Sequence, residues 1–355
     1  MSRKYYITLS HTLPEAKRDV RNKLRHAGTW RDGKRGGPDE WATGSVELTP
    51  SEVAKVEAAS NVLYVEESAP VTPHVDGSVP SDVDLRGQKA DMLFEWGFTG
   101  AGIDVGVIDT GIGSGALAKF TVKAKRDFET SANLDHGAYS ASVAVPRGAR
   151  LVFATATTTA NIADALYWMV DTVGVHVINM SFGTYTFSQA MADALSYARG
   201  KGVSLYASAG NDATSTPQYP AHNSGVKAVG SLDRTAGWKR ASFSNFGPWV
   251  DLWTNGVSVA TYNGAGNPVS QFGTSLSSPL AVFVDASLLT KGLTSIGQLS
   301  TNEAMKRGSD PVPNGVGGDP SPAYDPETGS GGGKGAGGRR VSGEGAAFAM
   351  REFCV

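Results

Sequence analysis

Short apolar runs alternate with helix-like segments between about residue 98 and residue 290. Four runs are apolar at nearly every position, as strands buried on both faces of a sheet are; they lie at 103–108, 150–153, 175–180 and 203–207. Helix-like segments follow at 162–173 and 188–199. This alternation predicts an α/β fold, doubly wound around a mainly parallel sheet. In such sheets the functional side chains lie beyond the carboxyl ends of the strands.

The first 75 residues have a different pattern, that of a small α+β unit. Strands are predicted at 5–9, 46–48 and 62–65, and helices at 15–27 and from Thr49-Pro50-Ser51-Glu52 onward. The proline-containing stretch 68–80 is predicted to be an exposed linker. We therefore expect two domains, 1–75 and 76–355, with a mobile Gly/Pro-rich loop at about 309–340 in the second.

Composition narrows the class of protein. Hydrophobic residues make up 40% and charged residues 19% of the 355 residues, as in a soluble globular protein. A formal net charge of −2 gives no reason to expect nucleic acid or an anionic membrane as partner. The one cysteine, Cys354, allows no intrachain disulfide. There is no apolar run long enough for a membrane span or a signal peptide, so we expect a location in the cytoplasm, or release by lysis as in a phage-associated setting.

Two candidate catalytic residues come early in the second domain. Asp109 directly follows the apolar run 103–108, where a carboxylate must be hydrogen-bonded to be buried. It is either an orienting carboxylate or the start of an Asx turn or helix cap. His136 precedes a segment of small residues that could form a helix. It either faces a cleft at the helix entrance or is an ordinary polar histidine of a loop.

Two further candidates come later. Ser275 follows a Gly-Thr turn and precedes a helix-like segment. There, its hydroxyl and its backbone N–H could face the same space, or the serine could be a simple helix N-cap. Asn211 ends the run 207–211, and its amide could bind a developing negative oxygen. Alternatively, Asn211 is a turn residue that tolerates left-handed backbone geometry.

The four candidates lie, in this order, in four of six collinear motifs. They are VIDTGI around Asp109, DHG around His136, INMSFG from Ile178, ASAGN ending at Asn211, ASFSNFG from Ala241 and FGTSLSSP around Ser275. The chain resembles the subtilisin-like serine proteases, or subtilases, over about two-thirds of its length. The order Asp, His, Ser is the known triad order of subtilisin itself.

The resemblance implies a role for each residue. Ser275 would be the nucleophile, His136 the general base and then the general acid, and Asp109 the group that fixes the imidazole tautomer. Asn211 and the N–H of Ser275 would form the oxyanion hole. The expected activity is that of a serine endopeptidase acting through an acyl-enzyme intermediate on peptide or protein substrates.

The resemblance also implies substrate-binding residues. Ser181, Phe182 and Gly183 would pair with an extended substrate as an added strand. The pocket for the residue before the scissile bond would be lined by Ser208, Ala209 and Gly210. Asp212 and Gln218 fall near its rim and base, where the carboxylate would favour a basic residue and the glutamine would narrow the pocket.

Residues 1–75 resemble the propeptides of the same family, which act as folding template and inhibitor with their C-terminal tail in the active site. We expect a zymogen that processes itself near Val75–Asp76, with the mature N-terminus between Pro73 and Ser78. The propeptide would be an intramolecular partner of an otherwise monomeric enzyme.

The chain departs from the family pattern directly after His136. Residues 137–142 replace the usual Thr-His-Val-Ala-Gly, and the 139 residues from His136 to Ser275 are fewer than expected. Nothing within 138–150 offers carboxylate or amide oxygens for a cation, so the calcium loop that relatives often carry here is expected to be absent. No cofactor or metal is needed for the chemistry, and a calcium site elsewhere stays open.

Two other functions compete with the peptidase. One is a catalytically silent binding protein on a subtilase scaffold, held by its uncleaved propeptide, although the intact candidate residues speak against it. The other is an α/β-hydrolase esterase. That reading fails because the sequence has no G-x-S-x-G motif and the serine comes last instead of first.

Overall fold

A computed structural model describes residues 2–9, 30–34, 40–58, 62–74, 78–79 and 97–292. The predicted helix at 15–27, the loop at 309–340, the expected cut at Val75–Asp76 and Cys354 lie outside these residues. None of the described helices has the length and apolar character needed to cross a bilayer.

The N-terminal unit is an antiparallel sheet with one described helix. Its strands are β1 (Arg3–Leu9), β2 (Trp30–Lys34), β3 (Glu40–Leu48) and β4 (Val62–Glu67), in the order β2-β3-β1-β4. Helix α1 (Pro50–Glu57) begins at Thr49, where the carboxylate of Glu52 accepts from the backbone N–H and the hydroxyl of Thr49 at 2.9 and 2.8 Å. This capping arrangement agrees with the helix start predicted from residues 49–52.

Two short strands connect this unit to the second domain. Strand β5 (Thr72–Pro73) pairs antiparallel with a later strand, and so does β6 (Ser78–Val79). The prediction of an exposed linker over 68–80 is therefore wrong for its described part. Val71 is 7% exposed and His74 is 5% exposed, because the segment lies as a strand on the surface of the second domain.

The second domain is built on an eight-stranded sheet. Its strands are β7 (Asp104–Asp109), β8 (Val122–Asp127), β9 (Arg150–Thr155), β10 (Val177–Met180), β12 (Ser204–Ser208), β13 (Lys227–Asp233), β14 (Lys239–Arg240) and β15 (Leu252–Asn255). The order is β14-β13-β12-β10-β7-β9-β8, with β15 also paired to β13. All pairs are parallel except that of β14. The predicted doubly wound, mainly parallel sheet is confirmed.

Helices cover both faces of this sheet. Besides the short α2 (Ser114–Leu117), they are α3 (His136–Ala144), α4 (Thr159–Tyr167) continued by a π-helical turn (Trp168–Val173), α5 (Gln189–Gly200) and α6 (Thr274–Leu289). Within β7, Val107 packs into the core under α3 and α6, and Ile108 into the core under α4 and α5. Successive strand residues therefore fill opposite cores, which explains why the strand sequence is continuously apolar.

Smaller strands lie at the carboxyl edge of the sheet. Strand β11 (Phe182–Gly183) is the partner of β5, and the hairpin of β16 (Val259–Tyr262) and β17 (Pro268–Gln271) provides the partner of β6. The chain is thus held by backbone pairing on either side of residues 75–77.

The N-terminal sheet packs against helices α4 and α5. Tyr6 is 2% exposed and belongs to the same apolar core as these helices. Polar contacts surround that core: the hydroxyl of Ser45 donates to Asp164 Oδ2 at 2.9 Å, and that of Tyr64 donates to Asp193 Oδ2 at 3.1 Å.

Candidate active site

Asp109 is the last residue of β7 and is 1% exposed. Its Oδ1 accepts from the backbone N–H of Thr110 at 2.7 Å and lies 2.6 Å from Nδ1 of His136. These donors offset the cost of burying a carboxylate, and they fix the imidazole so that Nδ1 carries its hydrogen toward Asp109.

His136 is the first residue of α3 and is 3% exposed. Its backbone N–H donates to Asn133 Oδ1 at 3.1 Å, which anchors the helix start. Gly137 lets α3 approach the preceding loop, because an added Cβ there would lie 2.1 Å from the carbonyl oxygen of Gly111. The imidazole consequently reaches across the carboxyl edge of the sheet, with Nε2 3.1 Å from Oγ of Ser275.

Ser275 lies inside the first turn of α6, whose N-cap is Gly273, so the N-cap reading of this serine is wrong. Its Oγ lies 2.9 Å from the carbonyl oxygen of Ser181 as well as near His136. Since a hydroxyl has one hydrogen, it can donate to only one of these acceptors at a time.

Asn211 lies next to the start of α6. Its Oδ1 accepts from the backbone N–H of Thr274 at 3.0 Å and from the hydroxyl of Thr274 at 2.8 Å. The Nδ2 of Asn211 is buried and has no hydrogen-bond partner among the residues that the structure describes. Thr274 therefore fixes the amide with its donor end unused, as an oxyanion donor requires.

A buried polar network supports the serine from below. Asn179 donates from Nδ2 to Ser181 Oγ at 2.8 Å and accepts at Oδ1 from the hydroxyl of Ser278 at 2.8 Å. The hydroxyl of Ser181 donates to the carbonyl oxygen of Ser275 at 3.0 Å. Strand β10, the segment after it and helix α6 are thereby held in register.

A segment of the N-terminal unit lies in this site. Strand β5 pairs with Phe182 and Gly183, the backbone N–H of His74 donates to the carbonyl oxygen of Ser181 at 3.3 Å, and the backbone N–H of Ser275 donates to the carbonyl oxygen of His74 at 3.2 Å. Residues 181–183 thus pair with an extended segment of the chain itself.

The imidazole of His74 fills the pocket beside Ser275. Its Nδ1 lies 2.7 Å from the hydroxyl of Ser208. Gln218, 4% exposed, lies at the base, and a Cβ added to Gly183 would be 2.2 Å from its Oε1 and 2.9 Å from Nε2 of His74. Gln218 Oε1 forms no well-aligned hydrogen bond, yet it is close enough to the imidazole to favour its protonated form.

Burial dominates the titration of this imidazole and lowers the pKa of His74 from 6.5 to about 4. Repulsion from His136 acts in the same direction, whereas Gln218 and Asp212 act against it. The pocket therefore holds the neutral imidazole at pH 7.

Asp212 lies at the rim and is exposed. Its Oδ2 accepts from Gln218 Nε2 at 2.6 Å and from the hydroxyl of Tyr185 at 2.7 Å. The carboxylate thus holds the glutamine amide in place. Gly210 lies beside the same amide, with a hypothetical Cβ 3.2 Å from Gln218 Cδ, and the carbonyl oxygen of Ala209 accepts from Asn245.

The structure brings all the candidate residues to one edge of the sheet. Sequence reasoning missed His74, which occupies the pocket, and Thr274, which orients Asn211. The sequence does offer one indication of His74, since it is a histidine within the expected C-terminal tail of the propeptide. The linker interpretation of residues 68–80 concealed this indication.

Comparison with known proteins agrees with this geometry. Residues 121–307 match the model of the subtilase family. The M-protease of Shouchella clausii is 30% identical over 258 residues, which cover 66% of this chain and 66% of that protein. The thermostable alkaline protease of Halalkalibacterium halodurans is 31% identical over 256 residues (66% and 68%), and subtilisin DY of Bacillus licheniformis is 30% identical over 240 residues (60% and 85%). The match covers just under two thirds of the length of the M-protease. Because the family model matches more than half of this chain, the chain belongs to the subtilase family.

Proposed function

We propose that this protein is a serine endopeptidase that hydrolyses peptide bonds through an acyl-enzyme intermediate. The observation that carries the proposal is the unbroken contact from Asp109 through His136 to Ser275, beside a pocket and a strand-binding edge. The peptidase names of the relatives point to the same activity.

In the first half of the reaction, His136 Nε2 removes the hydroxyl proton as Ser275 Oγ attacks the substrate carbonyl carbon. For this step the hydroxyl must donate to His136 instead of the carbonyl of Ser181. The developing oxyanion accepts from the backbone N–H of Ser275 and from Asn211 Nδ2. Asp109 stabilises the imidazolium by accepting from Nδ1, and the proton on Nε2 then passes to the leaving amine as the C–N bond breaks.

In the second half, a water molecule gives a proton to His136 and attacks the ester carbon. The C–O bond to Ser275 breaks, and His136 returns the proton to Oγ. The products are a carboxylic acid and the regenerated enzyme, and no cofactor takes part.

We further propose that residues 1 to about 75 are an inhibitory propeptide and that the chain processes itself. The N-terminal sheet packs on α4 and α5, and β5 lies along the edge formed by Phe182 and Gly183. A segment in this position blocks other substrates until it is cut and released.

The test compares the full chain with Ser275→Ala after expression. The unchanged chain is expected to lose its N-terminal unit and to be labelled by a fluorophosphonate, whereas Ser275→Ala stays full-length and unlabelled. Ser277→Ala is the matched control, since Ser277 lies in the same helix turn with its hydroxyl toward Thr254, and it should be processed and labelled.

The competing function is a silent binding protein held by its N-terminal unit. The occupied site favours it, because the backbone N–H of Ser275 already binds His74. Two results together would establish this function and reject the peptidase. The chain would stay uncut after expression, and it would take up no fluorophosphonate even after another protease had removed the N-terminal unit.

We also propose that the protein is a monomer without a calcium ion in the connection from α3 to β9. Only residues 145–149 join these elements. Tight calcium binding in a calorimetric titration, abolished by substitutions within 138–150, would contradict the proposed absence.

A further inference from the structure

The backbone register at Ser275 selects one peptide bond. The N–H of Ser275 binds the carbonyl oxygen of the residue whose carbonyl carbon Oγ attacks, and here that oxygen belongs to His74. Before this carbonyl, β5 runs along β11; after it, β6 runs along β17. The chain therefore passes the nucleophile in the manner of an uncut substrate, with the bond from His74 to Val75 as the one presented.

The orientation of Gln218 is determined by its neighbour. A carboxylate only accepts hydrogen bonds, so Asp212 Oδ2, 2.6 Å away, takes the NH₂ end of the amide. The Oε1 end must then face the pocket, where it lies beside the imidazole of His74. The base of the pocket is thus an acceptor that cannot turn into a donor while Asp212 holds it.

This acceptor and Ser208 match the two nitrogens of a neutral imidazole. One ring nitrogen donates and the other accepts. With Oε1 of Gln218 beside Nε2, the hydrogen belongs on Nε2, and Nδ1 accepts from the hydroxyl of Ser208 at 2.7 Å. An aliphatic or phenyl side chain would remove the partner of the Ser208 hydroxyl and would place no donor near Gln218 Oε1, and a lysine would bury a charge there.

We propose that this pocket selects histidine, that Ser208 and Gln218 determine the selectivity with Asp212 as a positioning residue, and that His74–Val75 is the autoprocessing bond. The proposal rests on the proposed peptidase function and names its substrate class: polypeptides with histidine directly before the cut.

The first experiment varies the substrate. Peptides with the sequence of residues 70–79 carry His, Phe, Leu, Lys or Glu at the position of His74, and active enzyme is counted by fluorophosphonate titration. The kcat/KM for the histidine peptide should exceed the others by about 10- to 100-fold, the effect of leaving buried polar groups unpaired. Equal or faster cleavage after Phe, Leu or Lys by titrated enzyme overturns the histidine selectivity but leaves the peptidase function intact. An enzyme that takes up no fluorophosphonate rejects the peptidase function and the selectivity built on it.

The second experiment varies the pocket. Gln218→Leu should reduce the ratio of kcat/KM for the His and Leu peptides by at least about tenfold, because leucine replaces the oxygen that faces the imidazole by an apolar group. Gln189→Leu, a matched change at the exposed start of α5, should leave this ratio unchanged. A Gln218→Leu enzyme that is titratable and keeps the full ratio contradicts the assigned role.

The third experiment reads the bond in the full chain. Mass spectrometry should find a mature N-terminus at Val75, and His74→Phe should slow processing by about tenfold or more. His176→Phe, the same change at an exposed position directly before β10, should process at the normal rate. A mature N-terminus at a residue other than Val75 would contradict the assignment of His74–Val75 as the autoprocessing bond, even if the enzyme is active.

Discussion

At the scale of single residues, Asn211 shows how one neighbour can orient a proposed oxyanion donor. Thr274 binds only the oxygen end of the amide and leaves the nitrogen end buried and unused. Such a donor costs little to realign when the oxyanion forms, because its direction is already fixed.

Replacement of Asn211 by Ala should lower kcat by about 10²–10³ with little change in KM, a magnitude established on subtilisin itself. The donor acts on the oxyanion and not on the bound peptide, so the loss belongs in kcat. Steady-state kinetics with a histidine peptide measures it. Asn267→Ala, an exposed change in the β16–β17 turn, is the control, and an equal loss there would remove the oxyanion interpretation.

The catalytic candidates could be predicted because they lie in continuous motifs, whereas His74 could not. Asp109, His136, Ser275 and Asn211 each follow or begin an element that the hydrophobic pattern already indicates. The position of His74 depends on which carbonyl meets the N–H of Ser275, and that register follows from three-dimensional pairing with β11. The orientation of Gln218 by Asp212 is equally invisible in a sequence.

At the scale of elements, a strand buried on both faces is easier to predict than an exposed edge strand. The run 103–108 was recognised because every residue of β7 is buried. Strand β8 was missed because it is an edge strand with the sequence VKAKRD, mostly exposed, and carries no apolar pattern. Helix α4 begins three residues before the predicted start, at Thr159, because Thr158 caps it with its side chain.

The packing of α3 against the loop after β7 sets the distance between His136 and Asp109. Gly137→Ala should destabilise the protein by about 1–3 kcal/mol and reduce kcat, since the new methyl group would meet the carbonyl oxygen of Gly111. Gly200→Ala, where nothing lies within 4 Å of the added Cβ, should leave both quantities nearly unchanged. Thermal unfolding and kinetics on the same samples test this, and normal values for Gly137→Ala would contradict it.

The start of α5 carries a contact from the N-terminal unit. Glu66 Oε2 accepts from the backbone N–H groups of Gln189 and Ala190 at 2.7 and 3.2 Å, where a negative charge stabilises a helix. In the uncut Ser275→Ala protein, Glu66→Gln should weaken this docking by about 0.5–2 kcal/mol and speed hydrogen exchange of the two amides. Glu67→Gln, which loses only an exposed pair with Arg3, should not change their exchange. Equal exchange in both variants would show that Glu66 does not hold the interface.

At the scale of the whole molecule, docking of the N-terminal unit should depend on pH through His74. The pKa of His74 is about 4 when docked and 6.5 when free, so only the free imidazole gains a proton as pH falls between these values. The contribution of His74 to the free energy of docking is therefore fully present above about pH 6.5. It is lost as the pH falls toward 4, and the loss amounts to about 3 kcal/mol in total. Two other titratable groups lie close to the ring: His136 lowers the pKa of His74, and Asp212 raises it.

The measurement is protease sensitivity of the N-terminal unit in the uncut Ser275→Ala protein from pH 7 to pH 4. His74→Phe in the same background is the control, because it lacks the imidazole and keeps every other side chain of the interface. The difference between the two proteins isolates the imidazole. A difference that does not grow as the solution is acidified would contradict the assigned burial of a neutral ring.

The two strand pairings that flank Ser275 differ greatly in what anchors them. The stretch before the cut follows directly on the N-terminal sheet, which packs on two helices, whereas the described part of the stretch after it, Ser78 and Val79, pairs with β17. In the proposed autoprocessing, the N-terminal fragment would stay bound after the cut, because its sheet remains packed on α4 and α5 and β5 remains paired with β11. Maturation would then have two steps, a fast cleavage and a slow dissociation of the N-terminal fragment. Purified enzyme would show a lag in activity, and its length would be set by the rate at which the fragment dissociates or is degraded by enzyme molecules that have already lost theirs.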